Sequence, residues 1–347
     1  MFVVPSHRPL APHEKISPVK RQLERLRHIV SQFPEITITV IGDLVADEFI
    51  FGEISRVSRE APVLILKHRE RTVVPGGGAN AVYNLADLGV NVLPVGVVGN
   101  DEPGRLLLQR FRQKRVPLSG IQKAKDYPTV TKTRVLAGMT HTSRQQVVRY
   151  DQEPDSPPSQ HTMRAVIYSA RQFVRASDAL LISDYGYGAA TPEVLAALKT
   201  GDMPVTVDSR YRLLDYVGVT AATPNEPEVE EALGVKIGHD KEKLDWAAQE
   251  LLKRMKLQSV VITRGRDGMV ALEKKRRPVE IPIHGSDQVT DVTGAGDTVI
   301  ATFTAALAAG ASTEEAARLA NYAGGIVVMK RGTATVTREE LLSALEG

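Results

Sequence analysis

The chain has 347 residues, 42% hydrophobic and 24% charged, which is enough apolar sequence for a large core in one or two domains. It contains no cysteine, which excludes disulfides, thiolate catalysis and cysteine-ligated metals. A formal net charge of +3, without a long Lys/Arg block or zinc-finger spacing, argues against nucleic-acid binding. No apolar run reaches the roughly 18 residues that span a membrane, so we expect a cytoplasmic protein that acts on small molecules.

The first predicted element is a helical extension within residues 1–34. Leu23, Leu26, Val30 and Phe33 recur at helical spacing among basic residues. This pattern predicts an amphipathic helix docked on the body of the protein or on a second copy of the chain. A helix that binds a membrane surface or an anion is the alternative.

Short β-branched runs then alternate with helical stretches across residues 35–347. Strands are predicted at 36–41, 92–98, 179–182, 205–207 and 260–263. Helices are predicted at 78–88, from Thr191-Pro192, at 299–309, and from capping boxes at 312–315 and 337–340. This alternation predicts a doubly wound α/β domain, with a mostly parallel sheet and helices on both faces.

Two segments interrupt the alternation, residues 49–74 and 130–150. Both contain strand-like runs without an intervening helix, and the second has a predicted hairpin tip at 138–143. We expect them to form a small antiparallel β-sheet lid that stands off the main sheet.

The strongest motif is Asp291-Val-Thr-Gly-Ala-Gly-Asp-Thr298, which precedes an apolar run predicted to be a helix. Gly294 and Gly296 free the backbone, so several N–H groups at the helix N-terminus can point at one phosphoryl group. Asp297 is then placed to take a proton from an attacking hydroxyl. In isolation, the motif is equally compatible with a tight turn capped by Asp297. The patterns GxGxxG and GxxxxGK[ST] do not match this loop.

Three further polar motifs lie upstream. Pro75-Gly-Gly-Gly-Ala-Asn80 allows close backbone approach to a polyol, and Asn80 can hydrogen-bond to its hydroxyls. Asp47 follows the first strand, at the sheet edge where open α/β folds bind ligands, and suits a sugar diol. Asn225 and Glu228 carry oxygen atoms suited to hydrated Mg²⁺ near phosphates. Each motif alone is also compatible with a turn, a solvated carboxylate or a capped helix start.

The order of these motifs resembles the ribokinase/phosphofructokinase-B (PfkB) family of carbohydrate kinases, over residues 36–345. Within that family the chain most resembles the bacterial heptose-7-phosphate 1-kinases. The stretches that carry this closer resemblance are 56–63, 131–135, 145–151, 183–185, 291–300 and 325–336. The resemblance implies a ribokinase-like fold and a homodimer. It also implies transfer of the γ-phosphoryl of ATP to a sugar or sugar phosphate, with D-glycero-β-D-manno-heptose 7-phosphate, phosphorylated at O1 for lipopolysaccharide core synthesis, as the expected acceptor.

The resemblance also implies a role for each residue that matches a family motif. The catalytic positions are the base Asp297 and the anion hole of Gly294, Ala295 and Gly296. The sugar-binding positions are Asp47, Gly76, Gly77, Asn80 and Asp184. The ATP-binding positions are Asn225, Glu228, Thr263, Gly265, Gly268 and, beside the adenine, Asn321. The metal positions are Asn225 and Glu228 for Mg²⁺ through water, and Asp291, Thr293 and Gly332 for K⁺.

Two positions depart from the heptose kinases. Tyr187 stands where they carry a lysine, and Asp208-Ser-Arg-Tyr211 replaces their Asp-Pro-Lys-Gly. Arg210 joins the substrate-binding residues because its guanidinium can supply one of the missing cationic contacts to phosphate. Three alternatives stay open: a kinase for another sugar or nucleoside, a non-catalytic nucleotide or sugar sensor on the kinase scaffold, and an interaction protein that uses the basic N-terminal helix.

Overall fold

The computed structural model describes residues 17–138, 145–285, 291–330 and 332–346. The helices in these ranges are α1 (Pro18–Ser31), α2 (Gly78–Asp87), α3 (Glu102–Gln113), α4 (Gln160–Val174), α5 (Pro192–Ala196), α6 (Glu226–Leu233), α7 (Lys241–Arg254), α8 (Ala295–Ala308), α9 (Thr313–Val327) and α10 (Arg338–Ala344). The strands are β1 (Thr37–Gly42), β2 (Leu44–Val57), β3 (Leu64–Gly77), β4 (Asn91–Gly99), β5 (Ile121–Ala124), β6 (Thr131–Gly138), β7 (Gln145–Gln152), β8 (Ala179–Asp184), β9 (Val205–Ser209), β10 (Ala221–Ala222), β11 (Ser259–Thr263), β12 (Met269–Glu273) and β13 (Val279–Ile281). No helix of the described part of the chain has both the length and the apolar character needed to cross a membrane.

The large sheet has nine strands within these ranges, in the order β13-β12-β11-β10-β9-β8-β1-β4-β5. The strands from β11 to β5 run parallel to one another, and β12 and β13 add antiparallel at one edge. Strand β1, an interior strand, pairs with both β4 and β8, so Ile38 lies beside Val92 on one side and Ala179 on the other. The predicted doubly wound, mostly parallel sheet is confirmed.

Helices cover both faces of this sheet and bury two hydrophobic cores. Successive strand residues point to opposite faces, so Val40 packs in the core beneath α1, α2, α3, α8, α9 and α10. Its neighbour Ile41 packs in the other core, beneath α4, α5, α6 and α7. This two-sided burial explains why the parallel strands read as continuous apolar runs in the sequence.

The smaller sheet has the strand order β3-β2-β6-β7. The pairs β2/β3 and β6/β7 are antiparallel, as predicted for the lid, but β2 and β6 pair in parallel. The predicted small, largely antiparallel sheet is therefore confirmed, with the difference that its two antiparallel pairs join through the parallel pair β2/β6. Of the predicted hairpin tip, only Gly138 falls within the described residues.

The described part of the N-terminal extension, α1, packs on the body of the same chain. Leu26 and Ile29 are fully buried in the core that α9 and α10 also cover. At the rim, Arg25 donates to Glu315 Oε1 at 3.1 Å and to the Gly310 carbonyl at 3.1 Å. The apolar side of the amphipathic helix α1 thus packs into the hydrophobic core of the same chain.

Candidate active site

The candidate site lies where the carboxyl ends of the central strands meet the N-termini of α2 and α8. The first helix is drawn close to β1, since a Cβ on Gly42 would lie only 2.9 Å from Gly78 Cα. The second is preceded by its N-cap residue Gly294, which has the positive φ of 78° that glycine tolerates best. The carboxyl edge of a parallel sheet is where folds of this type bind ligands.

Asp297 lies in the first turn of α8, and two donors hold its carboxylate. Asn80 donates from Nδ2 to Oδ2 at 3.0 Å, and the Tyr185 hydroxyl donates to Oδ1 at 2.8 Å. Burial raises the pKa of Asp297 to about 7, although the bonds from Asn80 and Tyr185 work in the opposite direction. A carboxyl group that titrates near neutrality is suited to general-base catalysis.

Gly294 lets α2 and α8 approach closely at this point. A Cβ there would lie 2.5 Å from Asn80 Nδ2, which also donates to the Gly294 carbonyl at 3.3 Å. Asn84 Nδ2 in turn donates to Asn80 Oδ1 at 3.2 Å, and the Thr298 hydroxyl donates to Asn84 Oδ1 at 3.0 Å. This network fixes the amide of Asn80 and therefore its bond to Asp297.

A polar cavity of about 440 Å³ opens beside Asp297. It is lined by Asp184, Tyr185, Asp208, Arg210, Thr223, Asn225, Pro227, Glu228, Glu231, Thr263, Val292, Gly294, Gly296 and Asp297. Burial and the charges of Glu228 and Asp297 raise the pKa of Asp208 well above its ordinary value. Acidic groups in such a cavity call for a cation or a cation-bearing ligand to offset their charge.

Asn225 and Glu228 form a capping box at the start of α6. Asn225 Oδ1 accepts from the Glu228 N–H at 2.9 Å, and Glu228 Oε2 accepts from the Asn225 N–H at 2.9 Å. Glu228 therefore keeps Oε1 for other partners. The described residues include no group of three or more His, Cys, Asp or Glu placed to enclose a metal. This donor set fits Mg²⁺ held through water and phosphates, as is usual for that ion.

An apolar cleft of about 170 Å³ adjoins the polar cavity. Thr263, Val292 and Gly296 line both spaces, so the two are continuous past the N-terminus of α8. The other residues of the apolar cleft are Gly265, Arg266, Gly268, Met269, Ile283, Ala295, Val299, Asn321, Gly324, Gly325 and Val328. Its largely apolar lining of small residues suits a heterocycle.

The remaining predicted sugar-binding residues lie at the junction of the lid with α2. Asp47, on β2, is buried, and its carboxylate accepts from Arg134 at 2.6 Å and from the Thr333 hydroxyl at 3.1 Å. A Cβ on Gly76 would lie 2.4 Å from Asp47 Oδ2, so the glycine makes room for this carboxylate. Gly77 caps α2 with a positive φ of 51°. These residues are therefore grouped with Asn80, on the lid side of the site.

Asp184 and Arg210 both line the polar cavity, but they differ in burial and in the number of hydrogen bonds that their side chains make. The Asp184 carboxylate accepts hydrogen bonds from Gly186, Ser209, Arg212 and Tyr216, and it is 1% exposed. It therefore acts within the structure as an anchor for the surrounding loops. Arg210 is exposed and lies over the Tyr211 ring, 5.5 Å from its centroid.

Asp291, Thr293 and Gly332 come together as a separate cluster. The Thr293 N–H donates to Asp291 Oδ1 at 2.9 Å, and the Gly332 N–H donates to Oδ2 at 3.0 Å. Burial disfavours ionisation of Asp291, but these hydrogen bonds outweigh it and lower its pKa. An ionised carboxylate between two backbone turns fits a monovalent cation held mainly by oxygen atoms.

Three residues near Asp297 were given no role in the sequence analysis: Tyr185, Lys132 and Asp208. Lys132 is 8% exposed, with Nζ 5.3 Å from the ring centroid of Tyr185 and 5.7 Å from that of Tyr187. Tyr185 and Lys132 stand in stretches that carry the family resemblance, and Asp208 directly follows a predicted strand. Those positions were the available signal, but only the fold shows that their side chains converge.

The fold and the site place the buried Asp297 carboxyl group at a helix N-terminus beside two connected clefts. The family model described as pfkB family carbohydrate kinase matches residues 37–340. The chain therefore belongs to the pfkB family of carbohydrate kinases.

Curated relatives cover most of the chain. It is 40% identical over 310 residues to the bifunctional protein HldE of Gluconobacter oxydans, covering 88% of this chain and 63% of that protein. It is 38% identical over 328 residues to bifunctional protein HldE of Mesorhizobium japonicum, covering 93% and 64%. The chain thus spans less than two thirds of the length of these relatives.

Solved structures share the fold at lower identity. Ribokinase of Arabidopsis thaliana, complexed with ribose and ATP, matches with a TM-score of 0.69 and 21% identity, over 90% of this chain and 99% of that one. Phosphofructokinase-2 of Escherichia coli, in complex with potassium, matches with a TM-score of 0.71 and 17% identity, over 90% and 98%. These matches confirm the predicted ribokinase-like fold.

Proposed function

We propose that the chain uses MgATP to phosphorylate O1 of D-glycero-β-D-manno-heptose 7-phosphate, with Asp297 as the general base. The observation that carries the proposal is the buried Asp297 carboxylate, held by Asn80 and Tyr185 at the N-terminus of α8. It lies at the edge of the polar cavity that leads into the apolar cleft. A base in this position is within reach of both an acceptor and a nucleotide.

ATP is assigned to the two connected clefts. The adenine would occupy the apolar cleft, beside Asn321, whose Nδ2 is fixed by the Pro282 carbonyl at 2.8 Å. The turn from Gly265 to Gly268 brings backbone to the same cleft. The triphosphate would extend past Gly296 into the polar cavity. The solved ribokinase complexed with ATP supports a nucleotide site in this fold.

The transfer step needs one base and one anion-binding loop. Asp297 would take the proton of the acceptor hydroxyl while that oxygen forms a bond to the γ-phosphorus. The bond between the γ-phosphorus and the β–γ bridging oxygen breaks, and ADP leaves. Backbone N–H groups of Gly294 and Gly296 would stabilise the charge of the phosphoryl group in transfer, since the helix N-terminus attracts anions. The Ala295 N–H, predicted to share this role, instead donates to the Val292 carbonyl at 3.2 Å.

Two cations complete the proposal. Bound Mg²⁺ would neutralise phosphate charge, and the groups assigned to it, through water, are Glu228 and Asn225. K⁺ is assigned to the cluster of Asp291, Thr293 and Gly332, where it would neutralise a carboxylate that orders the start of the glycine loop. The solved phosphofructokinase-2 in complex with potassium supports a monovalent-cation site in a protein of this fold.

The heptose phosphate is proposed from the motif resemblance and from the charge around the acceptor side. Among the described residues, Lys132 on β6 and Arg210 after β9 form no direct salt bridge, although the charges of Asp47 and Asp151 act on Lys132 and the charge of Glu228 faces Arg210. A phosphorylated acceptor would bring further negative charge to these two cations, which a free sugar would not.

The test is ATP consumption with K⁺ and Mg²⁺ present, against D-glycero-β-D-manno-heptose 7-phosphate, free hexoses, pentoses and nucleosides. We expect turnover with the heptose phosphate, reduced by roughly 10²–10⁴ in Asp297→Asn. Turnover with a different acceptor alone would keep the kinase mechanism and overturn the heptose assignment. Saturable ATP binding without turnover on any acceptor would favour the sensor function instead.

A further inference from the structure

Tyr185 is the one phenol that contacts Asp297 in the described structure. Its hydroxyl lies 2.8 Å from Asp297 Oδ1, opposite the amide of Asn80, which donates to Oδ2. Each carboxylate oxygen is thus engaged by a neutral donor from a different element. Two such donors fix the rotation of the carboxylate plane and stabilise its negative charge.

The backbone that carries Tyr185 is itself held in place. Asp43, 1% exposed at the end of β1, accepts from the Tyr185 and Tyr187 N–H groups at 2.9 Å each. Its other oxygen accepts from the Ala189 N–H at 2.8 Å. A buried carboxylate that binds several backbone donors determines the path of the loop after β8. Asp43 therefore fixes the backbone position from which the Tyr185 side chain reaches Asp297.

Packing also fixes the Tyr185 ring. A Cβ on Gly77 would lie 3.3 Å from the ring carbon Cδ2, so the ring rests against the turn that begins α2. The Lys132 ammonium lies over the ring, 5.3 Å from its centroid. Burial and the nearby Asp297 charge raise the pKa of Tyr185 well above its ordinary value, so its hydroxyl stays a neutral donor.

We propose that Tyr185 is a positioning residue for phosphoryl transfer: its hydroxyl orients the Asp297 carboxylate and favours the ionised form that can accept a proton. The inference rests on the proposed role of Asp297 as general base. Tyr185 acts through Asp297, so its removal should alter the pH range of activity more than the affinity for ATP. A change in the pH range of activity would distinguish this positioning role from a purely structural role of the Tyr185 side chain.

Other charged groups face Asp297 and also affect its pKa. Asp47 of the lid raises the pKa of Asp297, whereas Lys132 of the lid lowers it. Asp208, beyond β9, is also within electrostatic reach of Asp297. None of these groups donates a hydrogen bond to Asp297 in the described structure. Tyr185 and Asn80 are therefore the direct contacts, and each can be tested by a single substitution.

A direct test is ¹³C NMR titration of protein labelled at the aspartate side-chain carboxyl, with the Asp297 signal identified by its absence in Asp297→Asn. We expect a midpoint of about 7 in the natural protein, and about one pH unit higher in Tyr185→Phe, because one hydrogen bond to the anion is lost. Tyr187→Phe is the matched control, since its hydroxyl donates to Glu153 at 2.6 Å. Its titration midpoint should not move.

The kinetic counterpart is kcat/KM against pH with D-glycero-β-D-manno-heptose 7-phosphate. The acid limb of Tyr185→Phe should move up by the same amount, so activity falls several-fold at pH 7 and recovers at pH 9. An unchanged NMR midpoint would overturn the inference and leave the role of Asp297 untouched. A shifted midpoint with an unshifted activity profile would instead count against Asp297 as the base.

A second variant covers the case in which Tyr185→Phe folds poorly. Fluorotyrosine at position 185 keeps nearly the same shape but has a more acidic hydroxyl, which is a stronger donor. The Asp297 midpoint should then move down, opposite to the Phe variant. A midpoint that stays in place with fluorotyrosine would contradict the proposal even where the Phe variant cannot be measured.

Discussion

At the scale of single residues, burial of the Asp297 carboxyl group lowers the stability of the folded chain but gives this group a pKa suited to proton transfer. Its carboxyl has an ordinary pKa of 3.8, and burial raises this to about 7 in the folded chain. The folded state therefore binds the proton more tightly than the unfolded state. Below about pH 4, Asp297 is protonated in both states and does not change the free energy of unfolding. As pH rises from 4 to 7, ionisation of Asp297 lowers the free energy of unfolding, and the loss is complete above about pH 7.

The first prediction is that Asp297→Asn stabilises the protein while it removes activity. Asparagine is neutral at all pH values and keeps a polar contact to Tyr185, whose hydroxyl can rotate to accept. We expect a gain on the order of 2–4 kcal/mol in the free energy of unfolding above pH 7. Urea unfolding at several pH values measures it. The gain should shrink towards pH 4, and a gain independent of pH would show that burial of the charge is not its cause.

The second prediction concerns two glycines of the same loop. Alanine at Gly294 must adopt a φ of 78° and would bring its Cβ to 2.5 Å from Asn80 Nδ2. We expect Gly294→Ala to lose about 1–3 kcal/mol of stability, because backbone strain and the displaced amide add together. Thermal unfolding is the readout.

Gly296→Ala is the matched control for that prediction. A Cβ there meets nothing within 4 Å, and the residue lies in helix α8, where alanine is favoured. Its unfolding free energy should equal or exceed that of the natural protein. Equal losses from both substitutions would contradict the close approach of Asn80 as the reason for Gly294.

The sequence alone identified the glycine loop and Asp297 as candidate site residues, because the whole motif lies within eight consecutive residues. Asn80 was found for the same reason, through its glycine-rich turn. Its contact with Asp297 was not predicted, since the two residues are 217 positions apart in the chain. Tyr185 and Lys132 were missed as neighbours of Asp297, because three-dimensional packing alone brings β6 and the loop after β8 to α8.

At the scale of elements, helix starts were the most predictable features. The capping boxes at Ser312 and Thr337 form as predicted, each with reciprocal side-chain and backbone hydrogen bonds. Thr191 caps α5 in the same local manner. The parallel pairing of β2 with β6 was not predictable from periodicity, because alternating residues specify a strand but not its partner.

The third prediction tests α1 as part of the main core. Ile29 is fully buried, so Ile29→Ala should cost about 2–5 kcal/mol of unfolding free energy, measured in urea. Val19 lies on the same helix and is 66% exposed, so Val19→Ala should stay within about 0.5 kcal/mol. A small effect at both positions would mean that α1 is only loosely attached.

At the scale of the whole molecule, the lid sheet exposes apolar residues away from the main core. Val148 is 49% exposed and Tyr150 54% exposed, both on the edge strand β7. Uncovered side chains on an edge strand favour association with another chain. The homodimer expected from the family resemblance would cover this surface.

The fourth prediction is therefore a lid-dependent dimer. Sedimentation equilibrium should give about twice the chain mass of 37.8 kDa, and Tyr150→Glu should shift the mass towards that of one chain, because a charge would be buried without a partner. Tyr168→Glu is the control, since Tyr168 is 67% exposed on α4 of the main body. A monomer in the natural protein at micromolar concentration would contradict the prediction.

The whole fold brings two connected clefts, Lys132 of the lid and the buried Asp297 carboxyl group to a single edge of the sheet. That convergence underlies the central claim, that Asp297 enables transfer of the γ-phosphoryl of ATP to a sugar phosphate. The most direct measurement is ³¹P NMR of a reaction containing ATP, Mg²⁺, K⁺ and D-glycero-β-D-manno-heptose 7-phosphate. We predict that ADP and an anomeric sugar phosphate appear together with the natural protein and not, over the same time, with Asp297→Asn. An anomeric phosphate formed at equal rates by both proteins would contradict the account.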